Sequence, residues 1–101
     1  MLDYSEKLIP VVIQDVYSGD ILMLAWSNRY FIMKSVLFGY VFFFSRSRNL
    51  SWLKGEYSTN FQLLKELYYD CDSDSLLLKV VQVNKTSCHT GMRSCFYIRK
   101  C

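Results

Sequence analysis

The sequence predicts a single small α+β domain that is rich in strands and has one main helix. Three observations predict this class. The chain has 101 residues, which is enough for one hydrophobic core but too few for two, so residues 1–101 are expected to form one domain. Short runs of branched and aromatic residues alternate with turn signals. One stretch carries apolar residues at helical spacing between a start signal and a stop signal.

The first half of the chain predicts a hairpin, a helix and a third strand. Residues 8–14 and 21–26 are runs of branched and apolar side chains, and the Ser-Gly-Asp turn before the second run joins them as a hairpin. Asn28 is suited to cap the helix that follows, and Gly39 stands where that helix ends. The aromatic residues 40–44 predict the next strand.

The second half predicts a long loop followed by shorter strands. Residues 45–60 are polar, and a loop of that length in a small domain is usually functional. Residues 61–69 fit a helix by their leucines and a strand by their tyrosines, so periodicity leaves this stretch open. Residues 76–83 predict a strand of leucine and valine, and residues 95–99 a short terminal strand.

Composition excludes several classes of protein. Hydrophobic residues make up 51% of the chain and charged residues 21%, which is unlike a disordered linker. Aromatic residues at 17% are too many for so small a body to bury, so an apolar patch is expected to meet a partner, most simply a second copy. The net charge of +3 permits anionic ligands but does not indicate a nucleic-acid partner.

The sequence also predicts a cytoplasmic protein without a membrane partner. The N-terminus lacks the basic start and apolar stretch of a signal peptide. The longest uninterrupted apolar run, residues 36–44, is far shorter than the roughly 20 residues that cross a bilayer. In a reducing compartment the four cysteines are expected to serve metal binding or catalysis rather than disulfides.

One cluster of chemically active residues is acidic. Asp70, Asp72 and Asp74 surround Cys71 within five residues. Crowded carboxylates repel one another unless water or a cation separates them, and their oxygens suit a hard cation such as Mg²⁺, whereas the thiolate suits Zn²⁺. The alternative is a solvated acidic turn between two strands.

A second cluster carries two cysteines. Cys88 and Cys95 are separated by six residues that include His89 and Gly91. Together with Cys71 they offer three sulfur ligands, and three protein ligands with an open fourth position are typical of catalytic zinc. His89 would then be a fourth ligand, or a general acid or base. The alternative is that the cysteines are small buried hydrophobic residues and His89 a polar loop residue.

A third cluster is basic and lies in the polar loop. Arg46 and Arg48 alternate with serines and precede Trp52, Lys54 and Ser58. Arginine side chains match phosphate oxygens, and serine hydroxyls add short donors. The alternative is a solvent-facing strand end with ordinary surface arginines, which composition alone favours.

In their order along the chain, the basic, acidic and cysteine clusters resemble the phosphoribosyl-AMP cyclohydrolase family of histidine biosynthesis. The matching motifs are Ser-Arg-Ser-Arg at residues 45–48, Trp-Leu-Lys-Gly-Glu at residues 52–56, Asp-Cys-Asp-Ser-Asp at residues 70–74, and Cys-His-Thr-Gly-Met-Arg-Ser-Cys-Phe at residues 88–96. The likeness covers roughly residues 7–99, and separate matches in one order are specific.

The resemblance implies an intertwined homodimer with a shared zinc site and a magnesium site. Cys71 of one subunit would join Cys88 and Cys95 of the other on Zn²⁺, and residues 61–69 would be a strand that leads into the acidic turn. The other implied roles are Mg²⁺ binding by Asp70, Asp72 and Asp74, proton transfer by His89, and substrate binding by Arg46, Arg48, Trp52, Lys54, Ser58 and Arg93.

The implied reaction is the hydrolytic opening of the purine ring of 1-(5-phosphoribosyl)-AMP at the N1–C6 bond, which gives the formimino-aminoimidazole carboxamide ribotide. Three residues, Ser51, Tyr57 and Thr59, depart from the family's usual Leu, Thr and Gly. Cys101 lies outside the motifs, and we expect a monofunctional chain. The alternative function is a non-catalytic module stabilised by zinc, in which His89 would close the fourth coordination position.

Overall fold

The computed structural model describes residues 7–45, 50–55, 59–88 and 90–101, and it confirms a small strand-rich α+β domain. The elements in chain order are β1 (Ile9–Asp15), β2 (Ile21–Ser27), α1 (Arg29–Phe38), β3 (Phe42–Ser45), β4 (Leu50–Leu53), β5 (Gln62–Tyr69), β6 (Leu76–Gln82) and a 3-10 turn (Val83–Lys85). In the part of the chain that the structure describes, no helix is long and apolar enough to cross a membrane.

Four strands form the main sheet in the order β2-β1-β6-β5. The pairs β1–β2 and β5–β6 are antiparallel, whereas β1 and β6 run parallel with Val11 beside Leu76 and Asp15 beside Val80. Because β1 and β6 run in the same direction, the β5–β6 turn lies at the sheet edge where β1 begins. The β1–β2 turn and the end of β6 lie at the opposite edge.

One face of this sheet forms the hydrophobic core. Alternate residues of β1 and β6 are buried, among them Val11, Ile13 and Leu78, because successive side chains of a strand point to opposite faces. Ile32 of α1 and Phe43 of β3 belong to the same core cluster. The strands predicted at residues 8–14, 21–26 and 76–83 are confirmed to within one or two residues.

The helix α1 begins and ends at the predicted residues. Asn28 Oδ1 accepts a hydrogen bond from the Phe31 N–H at 3.0 Å, which satisfies one of the free donors of the first turn. Gly39 adopts a left-handed φ of 79° and donates its N–H to the Ser35 carbonyl at 2.8 Å, a common way for a helix to end.

Among the described residues, α1 and the C-terminal segment are two of the places where apolar side chains remain on the surface. On α1, Met33 and Leu37 are 63% and 76% exposed, opposite the face that packs on the core. In the C-terminal segment, Phe96 and Ile98 are 63% and 73% exposed. This apolar surface is the kind that usually meets a partner.

The structure corrects the prediction of one long loop over residues 45–60. Residues 50–53 form β4, which pairs antiparallel with β3, with Phe42 opposite Leu53. Tryptophan and leucine favour a strand that can pair with an aromatic neighbour, and the polar residues on both sides obscured that signal.

Two further strand predictions have opposite outcomes. Residues 61–69 are a strand, β5, as the family resemblance implied. The predicted terminal strand at residues 95–99 is wrong, since these residues form no strand. The Cys95 N–H donates to the Leu22 carbonyl at 2.7 Å, but residues 96–99 do not continue this pairing as a strand.

Candidate functional site

The predicted metal ligands lie at opposite edges of the main sheet. The acidic turn, residues 70–74, connects β5 to β6 at the edge where β1 begins. The cysteine loop, residues 87–95, follows β6 and its 3-10 turn and returns to the start of β2. The two regions offer different chemistry, carboxylates at one edge and thiols at the other.

The acidic turn brings three carboxylates together. One oxygen from each of Asp70, Asp72 and Asp74 lies within 4.8 Å of the others, and all three residues are exposed. The Asp74 N–H donates to Asp70 Oδ1 at 2.9 Å, and the Ser73 N–H donates to the Asp70 carbonyl at 3.0 Å. Ser73 has a φ of 59°, so the chain reverses tightly and points the acidic side chains to one side.

The carboxylates of the acidic turn perturb one another. A hydrogen bond with the Asp70 carboxyl, followed by the charge of that group, raises the pKa of Asp74. The same contact lowers the pKa of Asp70, with the Asp74 N–H and Ser75 adding further hydrogen bonds. Crowded carboxylates of this kind are relieved by a divalent cation with oxygen ligands. The residues of this turn therefore fit Mg²⁺.

The cysteine loop folds back on itself and brings two thiols together. The Gly91 N–H donates to the Cys88 carbonyl at 2.9 Å, and the Cys88 N–H donates to the Met92 carbonyl at 3.0 Å. Gly91 has a φ of 90°, a conformation that a glycine adopts without strain. As a result, Cys88 and Cys95 lie beside each other, since the thiol of each shifts the pKa of the other.

The two thiols differ in acidity. The Thr90 hydroxyl donates to the Cys88 sulfur at 3.0 Å and is the largest cause that lowers the pKa of Cys88, with Cys95 and Lys54 adding to it. Desolvation, followed by the contact with Cys88, raises the pKa of Cys95. A thiolate is the form that binds a metal, so the lowered pKa makes Cys88 the better sulfur ligand of the pair, with Cys95 beside it. These residues fit one side of a zinc site.

Lys54, predicted as a substrate ligand, lies against the cysteine loop. Its side chain is buried, with 9% of the residue exposed, and its Nζ donates to the Ser87 carbonyl at 2.6 Å. Burial lowers the pKa of Lys54, while the neighbouring thiols Cys95 and Cys88 act to raise it. A buried lysine beside two sulfurs supplies positive charge where thiolates concentrate negative charge.

Arg93, also predicted as a substrate ligand, ties the cysteine loop to the β1–β2 turn. Its guanidinium lies 3.5 Å from an Asp15 carboxylate oxygen and 3.3 Å from one of Asp20, and it donates to the Ser18 hydroxyl at 3.0 Å. Ser94 Oγ donates to the Ile21 carbonyl at 2.7 Å. These contacts hold the loop on the end of the hairpin.

Asp15 was not identified from the sequence, although it is the anchor of this arrangement. It is buried, and its carboxylate accepts hydrogen bonds from the Ser18 and Tyr17 N–H groups at 2.7 and 3.2 Å. Burial acts to raise the pKa of Asp15, but these bonds and the Arg93 charge outweigh burial, so the pKa is lowered. An aspartate before a Ser-Gly turn is a signal that could have found it.

Cys71 does not join the other two cysteines within one copy of the chain. It is exposed in the acidic turn, at the far edge of the sheet from Cys88 and Cys95. The seven residues of β6 separate the two edges by about 20 Å at the usual rise of a strand. Within the described residues, only the three aspartates form a group of three or more possible metal ligands.

Some of the predicted site residues and of the departures from the family pattern lie where the structure gives no side chain or no description. Arg46, Arg48, Tyr57, Ser58 and His89 lie outside the described residues. For Ser51 and Trp52 the structure describes only the backbone, which pairs in β4 with Phe44 and Phe43 respectively.

The turn after β4 explains one glycine of the Trp-Leu-Lys-Gly-Glu motif. Gly55 has a φ of 95°, and a Cβ atom there would lie 2.5 Å from the Phe61 nitrogen and 2.6 Å from the Asn60 carbonyl carbon. Thr59, one of the three departures from the motifs of the resembling family, has a φ of 64°, which is unfavourable for a β-branched residue. Asn84 Nδ2 donates to the Thr59 carbonyl at 3.0 Å and helps to hold it there.

Comparison with known proteins identifies the family. A sequence model described as phosphoribosyl-AMP cyclohydrolase matches residues 23–97. The phosphoribosyl-AMP cyclohydrolase of Listeria innocua is 47% identical over 96 residues, which cover 95% of this chain and 90% of that protein. This chain belongs to the phosphoribosyl-AMP cyclohydrolase family. The resemblance drawn from the motifs is therefore confirmed, and the chain is a member of an enzyme family.

Other members of the cyclohydrolase family differ in length. The phosphoribosyl-AMP cyclohydrolase of Trichormus variabilis is 47% identical over 93 residues, which cover 80% of that protein. The histidine biosynthesis bifunctional protein HisIE of Prochlorococcus marinus is 50% identical over 97 residues, which cover 95% of this chain and 43% of that protein. The chain thus spans less than half the length of its bifunctional relatives.

Proposed function

We propose that the chain is a zinc-dependent hydrolase that opens the purine ring of 1-(5-phosphoribosyl)-AMP in histidine biosynthesis. The observation that carries this proposal is the adjacent pair of thiols, Cys88 and Cys95, in a chain of the cyclohydrolase family. The buried Lys54 beside this pair adds support, because positive charge favours thiolates.

The proposed zinc site takes Cys88 and Cys95 from one copy of the chain and Cys71 from a second copy. Two thiols meet in one chain and the third stands exposed at the far edge of its sheet, so a homodimer supplies the missing ligand. The exposed apolar residues of α1 and of the C-terminal segment offer surface for such a dimer. When bound, zinc supplies the Lewis acidity that makes water a nucleophile at neutral pH.

The chain's own residues account for the rest of the reaction. Ribosylation at N1 leaves C6 of the adenine ring poor in electrons. Water adds to C6, the N1–C6 bond breaks, N1 takes up a proton, and the exocyclic amine stays on C6 as a carboxamide. His89, next to Cys88 in the sequence, is proposed to carry the proton. Attack on a ring carbon of this kind is known from zinc deaminases.

The substrate carries two phosphate groups, and two sets of residues are proposed to hold them. Asp70, Asp72 and Asp74 would bind Mg²⁺, and phosphate oxygens can complete the coordination of that cation. The other proposed substrate ligands are Arg46, Arg48, Trp52, Lys54, Ser58 and Arg93. Lys54 and Arg93 already contact the cysteine loop and the β1–β2 turn, so a role in substrate binding would be additional to a structural one.

The first experiment compares Cys88→Ala with Cys101→Ala. Purified protein is assayed spectrophotometrically on phosphoribosyl-AMP, and zinc is measured on the same sample. Cys88→Ala should lose both zinc and turnover. Cys101, an exposed thiol outside the motifs, should be dispensable for both. Equal activity in the two variants would refute the zinc ligands.

Chelation distinguishes an enzyme from a zinc-stabilised module. If removal of zinc abolishes turnover and leaves the circular dichroism spectrum unchanged, the metal serves catalysis. If the chain unfolds and the native holoprotein has no turnover, the module is supported and the proposal fails.

A mixing experiment tests whether the zinc site is shared. Cys71→Ala and Cys88→Ala are each inactive alone in this scheme, but a mixed dimer holds one intact site. Refolding the two variants together in equal amounts should restore about a quarter of the wild-type activity, because half of the dimers are mixed and each has one of two sites. The matched control mixes Cys88→Ala with Cys95→Ala, which cannot assemble an intact site. Absence of recovery in the first mixture would argue against sharing.

A further inference from the structure

Ser87 has a buried hydroxyl without a hydrogen-bond partner. The residue is 3% exposed, and its Oγ is shielded from solvent and unpaired in the part of the chain that the structure describes. Leaving a buried polar group unpaired costs about 1–3 kcal/mol. Such groups are few in native structures, and an absent ligand or ion is one reason for them.

The backbone of Ser87 is held firmly from two sides. Its carbonyl accepts the hydrogen bond from the buried Lys54 Nζ at 2.6 Å. Its N–H lies 3.2 Å from the carbonyls of both Met92 and Arg93, on the second half of the cysteine loop. Because the backbone is fixed, the hydroxyl has a small set of positions, and it has little freedom to find a partner elsewhere.

The thiol of Cys95 is a neighbour of the Ser87 side chain. Ser87 acts to lower the pKa of the Cys95 thiol, so the two side chains are close, although they do not make a hydrogen bond of normal geometry. A neutral thiol is a weak acceptor. A sulfur that carries negative charge is a much better one, and hydrogen bonds to charged acceptors are shorter and stronger.

We propose that Ser87 is a positioning residue of the zinc site, whose hydroxyl donates a hydrogen bond to the zinc-bound sulfur of Cys95. This inference rests on the proposed function, since it requires zinc on the Cys88–Cys95 pair. The hydrogen bond would orient the sulfur and share its charge, which is how groups behind metal ligands raise metal affinity. Ser87 contacts no substrate in this scheme.

The test is Ser87→Ala, which removes one oxygen and keeps the rest of the side chain. Zinc affinity of the full chain is measured by competition with a chromophoric chelator, and the melting temperature of the zinc-free protein is measured in parallel. We expect the zinc Kd to rise about tenfold. We expect the zinc-free protein to melt at the same temperature or higher, because an unpaired buried oxygen is removed.

Ser35→Ala is the matched control. Ser35 is equally buried, but its hydroxyl donates to the Phe31 carbonyl and accepts from the Phe42 N–H, both at 2.9 Å. Its loss should lower the melting temperature of the zinc-free protein and leave the zinc Kd unchanged. The two serines should therefore show opposite patterns.

The outcomes separate this inference from the proposed function. If wild-type protein binds zinc and Cys88→Ala does not, but Ser87→Ala binds zinc as wild type does, only the role of Ser87 is overturned. A similar loss of zinc affinity in Ser87→Ala and Ser35→Ala also overturns it, because general destabilisation then explains both. If wild-type protein binds no zinc, the proposed function and this inference fail together.

Discussion

The acidic turn and the cysteine loop stand at opposite edges of one sheet and are held in different ways. The cysteine loop is tied to three other parts of the fold: through Arg93 to the β1–β2 turn, through Cys95 to β2, and through Ser87 to the buried Lys54. The hydrogen bonds described for the acidic turn all run between residues 70 and 75.

This difference indicates which half of the proposed shared site has a fixed geometry before a metal binds. A ligand set supported by buried contacts keeps its geometry before a metal binds. An exposed turn with its own internal hydrogen bonds projects its carboxylates and Cys71 away from its own core. Removing one of the contacts that hold the cysteine loop should therefore lower stability, whereas changes in the acidic turn should alter ligand binding alone.

The largest effect is expected at the turn that carries Lys54. Gly55→Ala places a Cβ against the backbone of residues 60 and 61 and forces alanine into a left-handed conformation, so it should lower the free energy of unfolding by at least about 2 kcal/mol. Gly39→Ala is the matched control, because Gly39 also has a positive φ but has open space around it. Gly39→Ala should lower the free energy of unfolding by about 1 kcal/mol. Equal losses in urea unfolding would show that the close approach at Gly55 is unimportant.

The next effect concerns the anchor of the cysteine loop. Asp15→Asn keeps a hydrogen-bond acceptor but removes the charge that faces Arg93 and the turn, so it should lower the free energy of unfolding by about 1 kcal/mol at pH 7. Because the folded pKa of Asp15 is lowered, its contribution is present above the unfolded value of about 3.9 and is lost as the pH falls through the folded pKa.

Urea unfolding at pH 7 and pH 3 checks this prediction. The difference in the free energy of unfolding between wild type and Asp15→Asn should be smaller at pH 3 than at pH 7. Asp20→Asn is the control, since the Asp20 side chain is 58% exposed and an exposed pair contributes little. If the difference in the free energy of unfolding is the same at both pH values, the role given to the Asp15 charge is contradicted.

A small gain in stability is expected at Thr59. Thr59→Gly relieves a left-handed conformation that costs a β-branched residue about 1–2 kcal/mol, but glycine also adds freedom to the unfolded chain. The net gain should be about 0.5 kcal/mol, seen as a higher midpoint in urea. A lower midpoint would mean that the Thr59 side chain contributes more than its strain costs.

The smallest change in stability is expected in the acidic turn. Asp74→Asn removes a carboxylate whose pKa is raised by Asp70, so without divalent cations it should not lower the melting temperature. Wild-type protein should gain thermal stability from Mg²⁺ by mass action, and Asp74→Asn should lose that response while Asp20→Asn keeps it. A wild-type response to Mg²⁺ in Asp74→Asn would argue against the magnesium site.

Local signals predicted much of this molecule. The helix is bounded by Asn28 and Gly39 because capping depends on neighbours three or four residues away. The three aspartates meet because they share one tight turn. Strands that depend on a distant partner were harder to predict: β4 was missed, and residues 95–99 were assigned to a strand that the fold does not pair.

The contacts that hold the cysteine loop could not be predicted from the sequence, again because they join residues that are far apart in the chain. The family resemblance implied that Lys54 and Arg93 bind substrate, and basic side chains do suit anionic groups. In the fold, the buried Lys54 donates a hydrogen bond to the Ser87 carbonyl, 33 residues away in the sequence. Arg93 forms an ion pair with Asp15, 78 residues away. Nothing local to any of these residues indicates such partners.

By itself, the order of residues determined the family, the capped helix and the acidic turn, since each depends on motifs or on neighbours close along the chain. Only the tertiary structure decided that Cys71 stands at one edge of the sheet and the Cys88–Cys95 pair at the other. The physical reason is that the seven residues of β6 separate the acidic turn from the cysteine loop, while the parallel pairing of β6 with β1 places that loop beside the β1–β2 turn.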